Sequence, residues 1–239
     1  RLYIDGALAA TGPTTTGPLF DTTDSVAIGN DAALAAATAF AGEIDEVRIW
    51  DVARSVAEIG ATMSTTLVGD ETNLVGYWNF DDGTANDVTP NGSHGTVGGG
   101  AAIAASDTPL SGGGGGAAGD NSILLDGVDD YVIMAGDPAA LKLTGAMTIE
   151  AWFKHPAVDV AWPAVIASKA GPGGASWVLD LSSVDGNLEF IAFGGNGASP
   201  SGALTAQNLN DGLWHHAAGV WDGSEPRLYI DGALAATGP

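Results

Sequence analysis

Residues 1–13 read RLYIDGALAATGP, and residues 227–239 repeat the same thirteen letters. The offset is 226 residues (227 − 1), too long for a solenoid unit and close to the length of a whole all-β domain. Each copy has the pattern of a tight hairpin: Leu2-Tyr3-Ile4, then Asp5-Gly6, then Ala7 to Thr11. Asp-Gly supplies the positive φ that a two-residue turn needs. The repeat reads as one period of about 226 residues cut from a tandem array of near-identical units, with a short overlap kept. It also poses a structural problem. Both copies ask to pair with the strand expected over Trp214 to Trp221, so one edge has two candidates.

The remaining pattern is also that of strands. Apolar alternation marks them at 25–29, 42–50, 74–80, 122–125, 131–134, 147–154, 164–168, 176–181, 188–193 and 214–221, separated by Gly, Asn, Asp and Pro clusters. Ser55-Val56-Ala57-Glu58 has capping-box spacing and predicts one short helix near 55–63. Gly112 to Gly116 fits either a linker or a long loop within one domain. The expected class is all-β, a two-sheet antiparallel jelly-roll sandwich.

Composition narrows the partners. Asp plus Glu number 29 against 7 Lys plus Arg, a net charge of −22. Such a field repels nucleic acid and anionic membrane surfaces and leaves divalent cations and neutral sugars as partners. No run approaches the length of a bilayer span, so membrane insertion is not expected. With no Cys there is neither a disulfide framework nor a thiol nucleophile. The chain opens on Arg1 without a leader, which reads as a piece of something longer.

Taken in circular order, several words form a series. Leu74-Val-Gly-Tyr-Trp-Asn-Phe80 is followed by Ser122-Ile-Leu-Leu-Asp126-Gly127-Val-Asp129-Asp130-Tyr131-Val132 and by Met147-Thr-Ile-Glu150-Ala-Trp152-Phe153. Trp214-His215-His216-Ala-Ala-Gly219-Val-Trp221 then leads into the hairpin, whose first copy continues to Phe40-Ala-Gly-Glu-Ile-Asp45-Glu-Val-Arg-Ile-Trp50. The series resembles the laminin-G-like jelly-roll domains of the concanavalin A-like lectin and glucanase superfamily. That resemblance implies two curved antiparallel sheets, and it implies that the cut is out of phase with the fold. Residues 1–66 look like the C-terminal third of one unit, and 74–239 like the N-terminal two thirds of the next. Whether the front third closes on its own chain or on a neighbour is left open by the sequence.

The resemblance also implies a structural Ca²⁺, and the residues offer candidates. Asp126, Asp129 and Asp130 form an oxygen-rich turn, and Asp81 and Asp87 lie in a second one. Asp and Asn also occupy turns simply for their own backbone hydrogen bonds. In the strand at 42–50, alternation puts Asp45 on the face of Val47 and Ile49, opposite Ile44, Glu46 and Arg48, and a cation tying Asp45 to Asp126 is the expected placement. For sugars, Trp162 is the one loop aromatic suited as a platform, and Asn196 lies in a small polar loop able to cup a ligand.

An enzyme reading finds little. His216 shares a face with Ala218 and Val220 and reads as a packed histidine; no Gly-x-Ser-x-Gly or His-Glu-x-x-His word is present. Glu150 with Glu189 is the one glycosidase-like pairing. The resemblance implies two acids at alternate positions on one strand for the superfamily's sugar hydrolases, and the strand around Glu150 carries a single acid. The expectation is a non-enzymatic repeat of a microbial surface adhesin or filament, extracellular or at the cell surface. It would be calcium-stabilised and joined head to tail to identical repeats. The alternative is a calcium-dependent carbohydrate-binding module of a secreted multidomain protein, with glycan partners.

Overall fold

The strands alternate side chains between two faces, and the structure shows what each face meets. It is a computed structural model describing residues 2–4, 7–11, 17–110, 119–156, 163–182, 186–194, 199–205, 207–224 and 226–229. Gly112 to Gly116, Trp162 and Asn196 lie outside the described residues. In chain order the first strands are β1 (Leu2–Ile4), β2 (Ala7–Thr11), β3 (Val26–Ile28), β4 (Ala41–Trp50) and β5 (Leu74–Trp78). Next come β6 (Thr96–Gly98), β7 (Ala102–Ala105), β8 (Asn121–Asp126), β9 (Tyr131–Met134) and β10 (Met147–Lys154). Then follow β11 (Ala164–Gly171), β12 (Gly174–Leu181), β13 (Leu188–Gly194), β14 (Ser199–Leu204), β15 (Trp214–Trp221) and β16 (Pro226–Tyr229).

They form two antiparallel sheets. One has the order β1-β2-β16-β15-β10-β4-β8-β7, with β5 also paired to β4; the other runs β14-β13-β12-β11-β3-β9-β6. The core lies between them. Met147, Ile149, Ala151 and Phe153 point into it from β10, and Trp177, Leu179 and Leu181 meet them from β12. Two antiparallel sheets around one apolar layer are the jelly-roll sandwich expected.

β3 and β4 each sit inside a sheet, one in each. β3 lies between β11 and β9, and β4 lies between β10 on one edge and β8 and β5 on the other. The ten residues of β4 are long enough to serve β8 with Ala41–Ile44 and β5 with Val47–Trp50, end to end.

A bulge in β4 changes the expected faces. Glu150 pairs with Arg48 and Trp152 with Asp45, so Glu46 and Val47 together oppose Ala151 alone. Glu46 takes a φ of +52°, which turns the strand by one extra residue. Ile44, Val47 and Ile49 therefore reach the core, and Asp45, expected beside Val47, does not share their face.

Helix α1 (Val56–Thr62) starts as the sequence predicts: the Glu58 amide donates to the Ser55 hydroxyl and the Ser55 amide to the Glu58 carboxylate. It covers the outer face of β15, burying Ile59 against Ala218 and Val220.

Candidate functional site

Three groups of polar side chains stand out, and each has a different chemistry. The first is the turn after β8. One carboxylate oxygen from each of Asp126, Asp129 and Asp130 lies within 4.8 Å of the others. Gly127, at φ +79°, makes the turn possible. Gly99, on the neighbouring turn between β6 and β7, lets Asp129 approach so closely that a Cβ at Gly99 would collide with the Asp129 carbonyl.

Asp126 and Asp129 face solvent, whereas Asp130 is only 3% exposed. The Asp126 amide donates to Asp130 Oδ2 at 2.7 Å, and Asp130 Oδ1 is buried with no hydrogen-bond partner. Burial pushes the Asp130 carboxyl up, and the charges of Asp126 and Asp129 add to that. A shallow cavity of about 230 Å³ opens here, lined by Gly100, Ala102, Leu124, Leu125, Asp126 and Asp130. An orphaned carboxylate oxygen beside two exposed carboxylates fits a hard divalent cation, which takes oxygen ligands and completes its shell with carbonyls or water.

The other acids expected at a metal are not here. Ala41 pairs with Asp126, and Asp45 lies four residues further along β4, roughly 13 Å at strand rise. Asp45 is fully buried, accepting from the Glu46 amide and the Thr108 hydroxyl, both at 2.7 Å. The expected cation tie between Asp45 and Asp126 is corrected by that separation.

Asp87 is saturated: it accepts from the amides of Tyr77, Thr89 and Ser93 and from the Thr89 hydroxyl. Asp81 accepts from the Asn121 amide and the Asn79 side chain. Both serve turns and strand ends, which is the ordinary use of Asp in loops.

The second group is a buried charge cluster on the outer face of the larger sheet, under α1. Arg54 Nη1 reaches Glu150 Oε1 at 2.5 Å, Arg48 pairs with Glu46, and His216 Nε2 lies 3.6 Å from Glu150 Oε2. The arginines also satisfy the carbonyls at the end of the helix. Arg54 donates to the Glu58 carbonyl, and Arg48 to those of Thr62 and Thr65. Tyr77 donates to Glu46, and Trp152 to the Met63 carbonyl.

Burial alone would raise the Glu150 carboxyl, but His216, Arg54 and Arg48 outweigh it and hold it below the ordinary value. For Glu46, burial wins over Arg48 and Tyr77, and its carboxyl is raised. The cluster is sealed and holds α1 onto the sheet. His216 packs edge-on against Trp152 as part of it.

The third group was missed in the sequence. Asp180 on β12 pairs directly with Glu189 on β13. Asp180 is 3% exposed, with Oδ1 unpartnered; burial and the charge of Glu189 push its carboxyl well up. Burial raises Glu189 as well. The signal was available, because Trp177-x-Leu179-x-Leu181 and Leu188-x-Phe190 put both acids on the face opposite the core, across one short connection. Glu150 and Glu189 lie in different sheets, so the glycosidase-like pairing of those two has no geometric basis.

No curated protein and no solved structure matches the chain. A family model does, the laminin G type of the concanavalin A-like lectin/glucanases superfamily, over residues 1–60 and 126–239. The matched segments supply β1 to β4 and β9 to β16, the strands that build most of both sheets. On that match and on its two-sheet antiparallel sandwich, the chain belongs to the concanavalin A-like lectin/glucanase superfamily.

Proposed function

We propose that the chain is a non-enzymatic structural module of an extracellular microbial adhesin or filament, stabilised by Ca²⁺ and joined head to tail to further copies. Its superfamily membership supports a structural or carbohydrate-binding β-sandwich role. The observation that carries the calcium reading is the Asp130 carboxylate, buried with one oxygen unpartnered beside Asp126 and Asp129. An ion bound only by the native state stabilises it by mass action, about 2.7 kcal/mol at a hundredfold excess over Kd. In a domain of this size that is about 5–10 °C in melting temperature.

Chelation should therefore lower Tm by several degrees, and the melting of Asp130→Asn should respond neither to chelator nor to added Ca²⁺. A melting curve unmoved by chelator, with no heat on calcium titration, rules the reading out.

The cavity beside these acids, with Leu124 partly exposed on its wall, favours one second reading, a calcium-dependent carbohydrate-binding module. Glycan-array binding that disappears with chelation and with Asp130→Asn supports it. No binding above background excludes it.

A further inference from the structure

The two copies of the terminal sequence meet on one strand. β1 pairs with β15 through Leu2↔Gly219, Tyr3↔Ala218 and Ile4↔Ala217. β16 pairs with the same strand through Val220↔Arg227 and Trp221↔Pro226. Continued in register, Leu228 falls opposite Gly219 and Tyr229 opposite Ala218, the partners that Leu2 and Tyr3 hold. β1 and β16 thus contend for one edge in one register, and their sequences are identical from Arg227 onward.

β2 shows the same interchange. Ala10 pairs with Leu2 on one side and Leu228 on the other, and Leu8 with Tyr3 and Tyr229. β16 therefore already uses the first copy's second strand in the way β1 does.

We propose that the outer edge of β15 is a strand-exchange site whose partner is a second copy of this chain. The hairpin β1–β2 of one chain docks on β15 and β16 of the next, in the pairing seen here within one chain. Release of an exchanged hairpin ordinarily leaves a bare edge, which is costly. Here β16 holds a foothold at Val220 and Trp221 and can extend along the vacated stretch. Its tether to β15 is only residues 222–225, so it is always close at hand.

The incoming hairpin reverses the step, driving β16 back to its foothold. Each chain gives one hairpin and offers one acceptor, so the contact is heterologous and runs head to tail without needing to close. The joint rests on the head-to-tail reading above and deepens it.

The absence of Cys in the sequence permits a clean test by disulfide trapping. Antiparallel register partners lie about 4.5–5.5 Å apart at Cα, within the range a disulfide spans. A chain carrying Tyr3→Cys and Ala218→Cys should close internally, which establishes that it folds with β1 in place. A chain carrying Ala218→Cys and Tyr229→Cys should also close internally, reporting β16 in the vacated stretch.

An equimolar mixture of Tyr3→Cys and Ala218→Cys chains should then give a cross-linked dimer. Its fraction should grow roughly tenfold per tenfold rise in concentration at the dilute end, as mass action requires. Excess synthetic RLYIDGALAATGP peptide should suppress it, and a scrambled peptide should not. Closure of the first chain without any cross-chain product at high concentration overturns the proposal. If light scattering shows association in that case, the head-to-tail reading stands and this joint falls. If it shows none, both fall.

Discussion

Asp45 accepts from one amide and one hydroxyl, while burial, the adjacent Glu46 and the more distant Asp120 push its carboxyl well above the usual range. The sign of the effect on folding follows. A carboxyl whose pKa is raised in the folded state favours folding while protonated, and that contribution fades as pH rises from the ordinary Asp value through the raised one. Asp45→Asn keeps an acceptor for the Glu46 amide and removes the charge. The variant should melt higher at pH 7, by about 2–4 °C, what 1 kcal/mol gives in a domain of this size. The gain should vanish near pH 3, and calorimetry at both pH values checks it. An equal loss at both would mean that packing against Thr108, and not charge, sets the value of this position. In the sequence, alternation sets Asp45 on the face of Val47 and Ile49, and its true face was not legible. The bulge at Glu46 depends on tertiary pairing with β10, and strict alternation has no way to register an extra residue.

Helix α1 has seven residues, too few to persist alone in water, so its place depends on what the sheet offers its C-terminal turn. That offer is two buried guanidinium groups and the Trp152 indole. Arg54→Ala removes the nearest cation from Glu150 and a donor from the Glu58 carbonyl. Breaking one side of a buried pair costs about 3–5 kcal/mol. Urea denaturation of the variant should show a loss of that size, and hydrogen exchange should show the α1 amides opening before the sheet. Unchanged protection across 56–62 would assign the helix's hold to Ile59 instead. The element itself was readable from its capping box, whereas β6, β7 and β14 were not. Those three are built from Gly, Ala, Ser, Thr and Pro with few large apolar residues, and they lie at or next to sheet edges, where no buried face imposes alternation.

For the whole molecule, the position of β3 and β4 inside the two sheets decides what can be removed. Deleting residues 1–66 takes the middle from both sheets, and the product should lack a cooperative melt and near-UV circular dichroism. Deleting residues 1–13 removes an outer hairpin whose edge β16 can cover, and that product should melt cooperatively within a few degrees of the full chain. A folded 67–239 fragment would show that the other strands can pair without β4. The sandwich and its family were legible because many short words survive in order around the circle. The seating of the front third was not, since a strand word carries no address for a partner a hundred residues away. That seating has a consequence for synthesis. β4 pairs with β10, and residues 51–146 are translated between them. At ordinary elongation rates of about 5–20 residues per second, the wait is about 5–20 s. Through that interval a ten-residue strand with an apolar face is on hand before its main partner exists, so the nascent chain is the state in which a chaperone has most to protect.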